Sequence, residues 1–292
     1  MDKVGIVILN YLNYNDTIEC IESLLEDKYL NKEVIIVDNG SYNESWDVLY
    51  EKYKDNKKIT LLRSNTNEGF ARGNNIGILF AKNELRCDHI LLVNNDTIFK
   101  DELMIKKMVE EYEDGIGLIG PTIISANNMN QNPVLKKVTK YNVKNALINV
   151  NNHINKINIS VYRRGINKVH RILYKYFGQR YKNNSKDLIL HGACILLTKE
   201  YFRNYPYLYP NTFLYYEEDI LCLLTKKVGL KKKYIDTTYI YHKEDQSSEM
   251  SFNNKENIRN KYLLESIKEC LNIFDLSYNQ IINNYFRQSD KL

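Results

Sequence analysis

The residues best able to do chemistry in this chain of 292 residues stand where apolar runs stop. In HILLVNNDTIF, residues 89–99, the run from Ile90 to Val93 breaks at once into Asn94, Asn95, Asp96 and Thr97. Asp and Thr are good helix N-caps, so this pair could simply open the helical stretch expected near Asp101. The other reading is a divalent cation site. Hard ions such as Mg2+ or Mn2+ take oxygen ligands, commonly one or two carboxylates, with phosphate oxygens and water in the remaining positions. A second group is the acidic triplet Glu217, Glu218 and Asp219, which follows the aromatic run FLYY. Acids in a first helical turn complement the helix dipole. Neighbours on a helix point about 100° apart, so at most two of the three can face one pocket, where one could serve as a general base. His242 closes a strand-like run in YIYHKEDQSS. Alone it reads as a structural histidine; beside Asp96 it would be a second metal ligand. Finally, Gly69 and Gly73 in NTNEGFARGNN suit a tight strand-to-helix entry where backbone approaches a ligand. Their spacing is neither G-x-G-x-x-G nor G-x-x-x-x-G-K-[ST], which disfavours ordinary dinucleotide and ATP sites.

These side chains need elements to hold them. VGIVILNY, EVIIVDNG, ITLLRSN, HILLVNND and GLIGPTII read as strands, each rich in Ile, Leu and Val and closed by polar residues or Gly. Between them, NDTIECIESLLEDKY, ESWDVLYEKYKD, GFARGNNIGILFAKNEL and DELMIKKMVEEYED carry apolar residues at helical spacing. Such alternation predicts an α/β fold with a parallel sheet covered by helices on both faces. Ligands then sit outside the carboxyl ends of the strands. Asn10 and Tyr11, Asp38 and Asn39, Ser64 and Asn65, and Asn94 to Asp96 should therefore line one crevice. Further on, INKVHRILYKYF reads as one amphipathic helix, DLILHGACILLTKEYF as a strand leading into a helix, and FLYYEEDILCLLTKKVG as a helix. KKYIDTTYIYH reads as a strand, and two amphipathic helices follow from about Asn254.

A hydrophobic fraction of 43% and a charged fraction of 26% fit an ordinary globular protein. Cys20, Cys87, Cys194, Cys222 and Cys270 are odd in number and lack C-x-x-C spacing, which points to reduced, buried thiols and a cytoplasmic setting. The amino-terminal apolar run is too short for a signal peptide, and no stretch approaches the ~18 to 20 apolar residues of a spanning helix. A soluble or peripherally attached protein is expected. The net charge of +5 is unevenly placed: residues 130–186 hold thirteen Lys and Arg and no Asp or Glu, leaving the rest at 5 − 13 = −8. Such a run suits a polyanion or an anionic membrane surface without specifying which.

Taken in order, ILNYLN, IIVDNGS, NEGFARGNN, LLVNND, LHGACILLTKEYF, FLYYEEDIL and YHKEDQSS resemble family 2 of the glycosyltransferases, most closely its rhamnosyltransferase-like branch of bacterial polysaccharide-synthesis enzymes. The resemblance implies a GT-A fold: a Rossmann-like, mostly parallel sheet with helices on both faces, plus C-terminal helices. It divides the chain into a nucleotide-sugar-binding half (1–125), a basic variable insert (126–186), an acceptor-binding and catalytic half (187–250) and C-terminal helices (251–292). By similarity, Asn10, Tyr11, Asp38, Asn95 and Asp96 would line the nucleotide-sugar site. Asn67, Gly69, Phe70, Arg72 and Asn74 would close over nucleotide and sugar. His191, Gly192, Ala193 and Glu217 would meet the acceptor. Asp96 matches the last acid of the family's D-x-D metal motif, with Asn94 where the family often has Asp. Counting back from Cys222 puts Glu218 at the family's base, whereas residue type favours Asp219, so both remain candidates.

The implied reaction is inverting transfer of a sugar from a nucleotide diphosphate, UDP or dTDP, to a hydroxyl of a glycan or lipid-linked acceptor. Mn2+ or Mg2+ on Asp96 and His242 would stabilise the leaving group. One alternative is a nucleotidyltransferase, which would want a basic Gly-rich loop near the amino terminus that is lacking. The other is a non-catalytic polyanion or membrane-surface module built on the basic run. Sugar transfer implies no nucleic-acid partner. The basic segment would instead meet an anionic membrane at the inner face of the cell, with Tyr162, Tyr174, Tyr176 and Phe177 as anchors.

Overall fold

The computed structural model describes residues 1–134, 136–155, 184–243 and 256–289. INKVHRILYKYF, the four aromatic anchors and the end of YHKEDQSS lie outside them. The described strands are β1 (Val4–Asn10), β2 (Lys32–Asp38), β3 (Ile59–Arg63), β4 (His89–Asn94), β5 (Thr97–Phe99), β6 (Ile116–Ser125), β7 (Asn184–Ser185), β8 (Cys194–Leu197) and β9 (Lys231–His242). The helices are α1 (Tyr14–Leu25), α2 (Ser45–Tyr53), α3 (Gly69–Asn83), α4 (Met104–Glu110), α5 (Lys140–Ile154), α6 (Lys199–Phe202), α7 (Glu217–Lys227), α8 (Glu256–Asp275) and α9 (Tyr278–Ser289).

One sheet runs through the molecule in the order β3-β2-β1-β4-β8-β6-β9-β5, with β7 against β9. Its β3-β2-β1-β4 half is parallel, as expected. The other half is mixed: β8 lies antiparallel to β4 and β6, and β5 antiparallel to β9. The strand–helix alternation that predicts a parallel sheet is confined to the first 125 residues, and it carries no information on a strand that enters the sheet from Cys194 onward. β8 inserts between β4 and β6, so the two proposed halves share one continuous sheet.

Continuous apolar runs in the strands reflect burial on both faces. Along β1, Ile6 and Ile8 join a core with Leu24 of α1, Leu49 of α2 and Met104 of α4. Val7 points the other way, into a core with Ile78 of α3, Leu224 of α7, Ile267 of α8 and Tyr285 of α9. Gly77 lets α3 lie directly on the sheet, since a Cβ there would sit 2.5 Å from Val7 Cγ1. Gly73 does the same against Leu9, with a Cβ 2.7 Å from its Cδ1. At Gly73 the missing side chain thus serves helix-to-sheet packing.

Two further differences bear on the site. Asp96 and Thr97 do not cap a helix; Asp96 lies in the turn between β4 and β5, Thr97 begins β5, and α4 starts only at Met104. In the basic segment, α5 forms where no helix is legible. Thr139 caps it by accepting from Asn142 N at 3.1 Å, and the helix packs against α8. The five cysteines are free and buried, as expected.

The chain entering α7 is held by tyrosines. Tyr201, Tyr205, Tyr207 and Tyr209 cluster around Tyr285, with ring pairs 5.1–5.9 Å apart. Tyr201, Tyr205 and Tyr207 donate to the carbonyls of Tyr207, Leu224 and Tyr285. These hydrogen bonds and ring contacts fix segment 201–209 against α7 and α9.

Candidate active site

β5 is only three residues long, but its antiparallel register puts Thr97 opposite His242. The same histidine pairs with Ser125 of β6. His242 is thereby brought beside Asp96, with Nε2 3.3 Å from Oδ1. That Asp96 oxygen is buried and has no hydrogen-bond partner. His242 Nδ1 lies 2.9 Å from Gln131 Oε1. Two ligand-type atoms buried this close without a hydrogen bond fit adjacent positions around a small divalent ion, whose N and O ligands lie ~2.0–2.2 Å from the metal. Among the described residues no third His, Cys, Asp or Glu joins them. Substrate phosphates and water would complete such a shell.

A cavity of about 350 Å³ opens next to this pair. Asn94, His191, Gly192 and Ala193 form one side; Phe70, Leu214, Leu263, Tyr215 and Tyr216 form apolar walls; Glu217, Glu218, Asp219 and Lys136 supply the charge. Tyr215 and Tyr216 have φ of 76° and 68°. Left-handed backbone costs non-glycine residues roughly 1–2 kcal/mol each, and here it turns the chain so that α7 begins inside the cavity.

The three acids of that first turn occupy different environments. Glu217 Oε1 is enclosed without a hydrogen-bond partner. Burial, aided by the charges of Glu218 and Asp219 and opposed by nearby backbone N–H groups, pushes the Glu217 carboxyl up to about 8. Asp219 is 3% exposed and takes Lys136 Nζ at 2.5 Å. Burial raises its pKa and outweighs that ammonium. Glu218 remains partly exposed and accepts from Gly192 N at 3.2 Å. The His191–Ala193 segment that orients it is itself tied down: His191 N donates to Asn132 Oδ1, Ala193 N to His191 Nδ1, and Asn94 N to the Ala193 carbonyl. The His191 and His242 rings stand edge to face, 5.6 Å between centroids, which joins the acceptor candidates to the metal pair.

The candidate nucleotide residues gather along the strand ends as expected, Asn10 registering with Asp38 and Leu9 with Asn94. Many are engaged internally. Asn10 donates to Asp38, and Asp38 accepts from Ser41 N. Asn95 donates to Thr17 and the Asn13 carbonyl, and Asn74 to the Phe70 carbonyl. Tyr11, Asn67, Phe70 and Arg72 stay partly exposed. The stretch from Asn67 to Asn74 is not a loose flap: it opens α3 and is pinned by Asn39 to Asn67, by Phe70 N to the Phe213 carbonyl, and by Arg72 to the Pro210 carbonyl. Gln131, Asn132 and Lys136 are absent from the sequence-based candidates; nothing but one more basic residue in a basic run marked them.

Residues 5–205 match the signature of Glycosyl transferase family 2. The chain belongs to that family. As a family 2 glycosyltransferase it is similar to the low-salt glycan biosynthesis hexosyltransferase Agl10 of Haloferax volcanii, 22% identical over 266 residues covering 90% of this chain and 75% of the relative. Glycosyltransferase GlyG of Streptococcus pneumoniae is 28% identical over 113 residues, 39% of this chain and 36% of the relative. UDP-Glc:alpha-D-GlcNAc-diphosphoundecaprenol beta-1,3-glucosyltransferase WfaP of Escherichia coli is 37% identical over 83 residues, 28% of this chain and 32% of the relative. The matched region thus spans about a third of the length of the last two. Two solved structures share the GT-A fold. TarS of S. aureus, residues 1–349, has a TM-score of 0.54 at 12% identity, covering 94% of this chain and 72% of that one. The mannosyltransferase PcManGT from Pyrobaculum calidifontis, in complex with GDP-Man and Mn2+, has 0.57 at 10%, covering 98% and 73%. Membership decides between the three sequence-based readings in favour of glycosyl transfer.

Proposed function

We propose that this glycosyltransferase is an inverting, divalent-cation-dependent hexosyltransferase of the rhamnosyltransferase-like branch. Its donor is a UDP- or dTDP-sugar and its acceptor a hydroxyl of a glycan or lipid-linked saccharide. The observation that carries the reading is the partnerless Asp96 oxygen 3.3 Å from His242 Nε2, beside a cavity holding an oriented carboxylate, Glu218. A cation bound by Asp96 and His242 would supply Lewis-acid charge to the diphosphate leaving group.

Glu218 is the base. Its carboxylate is held by Gly192 N–H facing the cavity, where an acceptor hydroxyl can deliver its proton as its oxygen attacks the anomeric carbon. Asp219 is a poorer choice because it is sealed and already takes the Lys136 ammonium. Glu217, protonated at neutral pH, can donate a hydrogen bond to the acceptor and places no second charge beside the base. The apolar walls suit the faces of a sugar ring. The names of WfaP and PcManGT include UDP-Glc, a diphosphoundecaprenol acceptor, GDP-Man and Mn2+, which support a nucleotide-diphosphate-sugar donor without selecting its base.

No described helix is long and apolar enough to cross a membrane. We assign the basic segment to an anionic bilayer carrying a lipid-linked acceptor, at the cytoplasmic face. Glu218→Gln should keep donor binding, read as a thermal shift with UDP-, dTDP- and GDP-sugars with and without Mn2+, and lose about 10²–10⁴-fold in turnover. Normal turnover by this variant would remove Glu218 as base. Equal binding to anionic and neutral vesicles at low salt would remove the membrane assignment.

A further inference from the structure

After β6 the chain turns at Asn128 and doubles back along the site. Gln131 N donates to the Ile123 carbonyl, and Gln131 Oε1 meets His242 Nδ1. Asn132, 1% exposed, receives His191 N and donates to the Pro121 carbonyl. Val134 N donates to the Ile189 carbonyl, and Lys136 reaches Asp219. Four residues of this return, Gln131, Asn132, Val134 and Lys136, therefore reach the histidine strand, the stretch from Ile189 to His191 and the start of α7.

The first of these contacts has a definite chemical effect. With its amide oxygen turned to the ring, Gln131 accepts from His242 Nδ1 at 2.9 Å, which puts the hydrogen on that nitrogen. In the neutral ring, Nε2 is then left with its lone pair, and Nε2 is the atom that faces Asp96 Oδ1 at 3.3 Å. Without Gln131 the ring could take the other tautomer. Nε2 would then donate its hydrogen to Asp96, satisfying that oxygen and spending both ligand atoms on each other.

We propose that Gln131 is a positioning residue that holds His242 in the Nδ1–H tautomer and so keeps Nε2 and Asp96 Oδ1 both available to a divalent cation. The role rests on the cation reading above, but the tautomer itself does not. An outer partner of this kind raises the basicity of a ligating imidazole and fixes its plane, and losing one typically costs 10–100-fold in metal affinity. Gln131 comes from a segment between two strands, so the control arrives from outside the residues that bind.

The test uses the full chain labelled with 15N-histidine. It has five histidines, and His242→Asn identifies the signal of interest. Wild type should show one Nδ1–H tautomer at His242 above pH 7.5. Gln131→Met, similar in length but without the acceptor, should show Nε2–H or a mixture. Gln131→Glu, which restores an acceptor, should return the signal to Nδ1–H. Mn2+ alone, titrated by electron paramagnetic resonance, should bind 10–100-fold more weakly to the Met variant and recover in the Glu variant, with melting temperatures of all three within a few degrees. An unchanged tautomer in Gln131→Met overturns the proposal, as does undiminished Mn2+ binding in that variant. If Mn2+ binds wild type and Asp96→Ala equally, the cation reading falls and the metal role of Gln131 with it, while the nitrogen spectra still decide the tautomer assignment.

Discussion

Replacing Glu217 with Gln keeps the shape of the side chain and removes a proton that the fold holds tightly. In the folded chain the carboxyl titrates at about 8, against an ordinary value of 4.5. The folded state therefore binds this proton more strongly than the unfolded one. That contribution to stability is fully present below about pH 4.5 and is lost as pH rises through 8. The interval of about 3.5 pH units, at ~1.4 kcal/mol per unit, sets a ceiling of about 5 kcal/mol. Glu217 is partly open to the cavity, and solvent screening reduces this to roughly 2–3 kcal/mol. At about 2 °C per kcal/mol for a chain of this size, Glu217→Gln should gain about 4–6 °C on wild type between pH 5 and pH 8.5. Thermal melts of both proteins at matched ionic strength across that range measure it directly. Other groups titrate as well, Asp219 among them, but they are common to both proteins and largely cancel in the difference. A difference that stays flat with pH would mean that Glu217 ionises normally in the cavity, and its role as a neutral donor to the acceptor would go with it.

Lys136→Met leaves Asp219 buried without its cation and should cost about 1–2 kcal/mol in a denaturant titration, less than a fully buried pair because the lysine is half-exposed; adding Asp219→Asn should recover most of that loss. Gly69→Ala places a Cβ 2.3 Å from the Phe213 carbonyl oxygen at φ +79°, so at least about 2 kcal/mol should be lost, together with the donor-induced thermal shift. Asp96→Ala should abolish any Mn2+-dependent part of that shift and leave the melting temperature without metal nearly unchanged.

How much of this was legible in the sequence depends on which residues carry it. β1, β2, β4 and β6 announce themselves as Ile, Leu and Val runs because both their faces are covered, and the carboxyl-end rule then collects Asn10, Asp38 and Asn94 along one edge. The meeting of Asp96 with His242 follows from no local pattern. It depends on β5, three residues long, pairing antiparallel with the end of β9. α5 is hidden because it is rich in Asn, a poor helix former, and buries only Val143 fully; its stability comes from α8. Lys136 is one of thirteen basic residues, and only its partner across the cavity sets it apart. The choice between Glu218 and Asp219 rests on the same grounds: identical chemistry on adjacent positions diverges only when Gly192 and Lys136 come from distant parts of the chain.

Two kinds of local cost, a partnerless carboxyl oxygen and left-handed backbone, meet at the cavity. Among the described residues, several buried side-chain oxygens lack a hydrogen-bond partner, but the only carboxylates among them are Asp96 and Glu217. An ionised carboxyl group left this way costs more than a hydroxyl or an amide, and at Glu217 burial answers that cost by holding the proton. Two consecutive left-handed residues, Tyr215 and Tyr216, immediately precede Glu217. Left-handed non-glycine residues also occur singly at Leu12, Arg86 and Asn128, but among the described residues only Tyr215 and Tyr216 are consecutive. Strain persists only where surrounding structure over-determines it, and here the tyrosine cluster on one side and the return segment from Gln131 to Lys136 on the other provide that constraint. A strand end short of a cation and a helix start short of a proton acceptor are complementary deficits, and a diphosphate sugar with its metal on one side and a hydroxyl on the other would satisfy both at once.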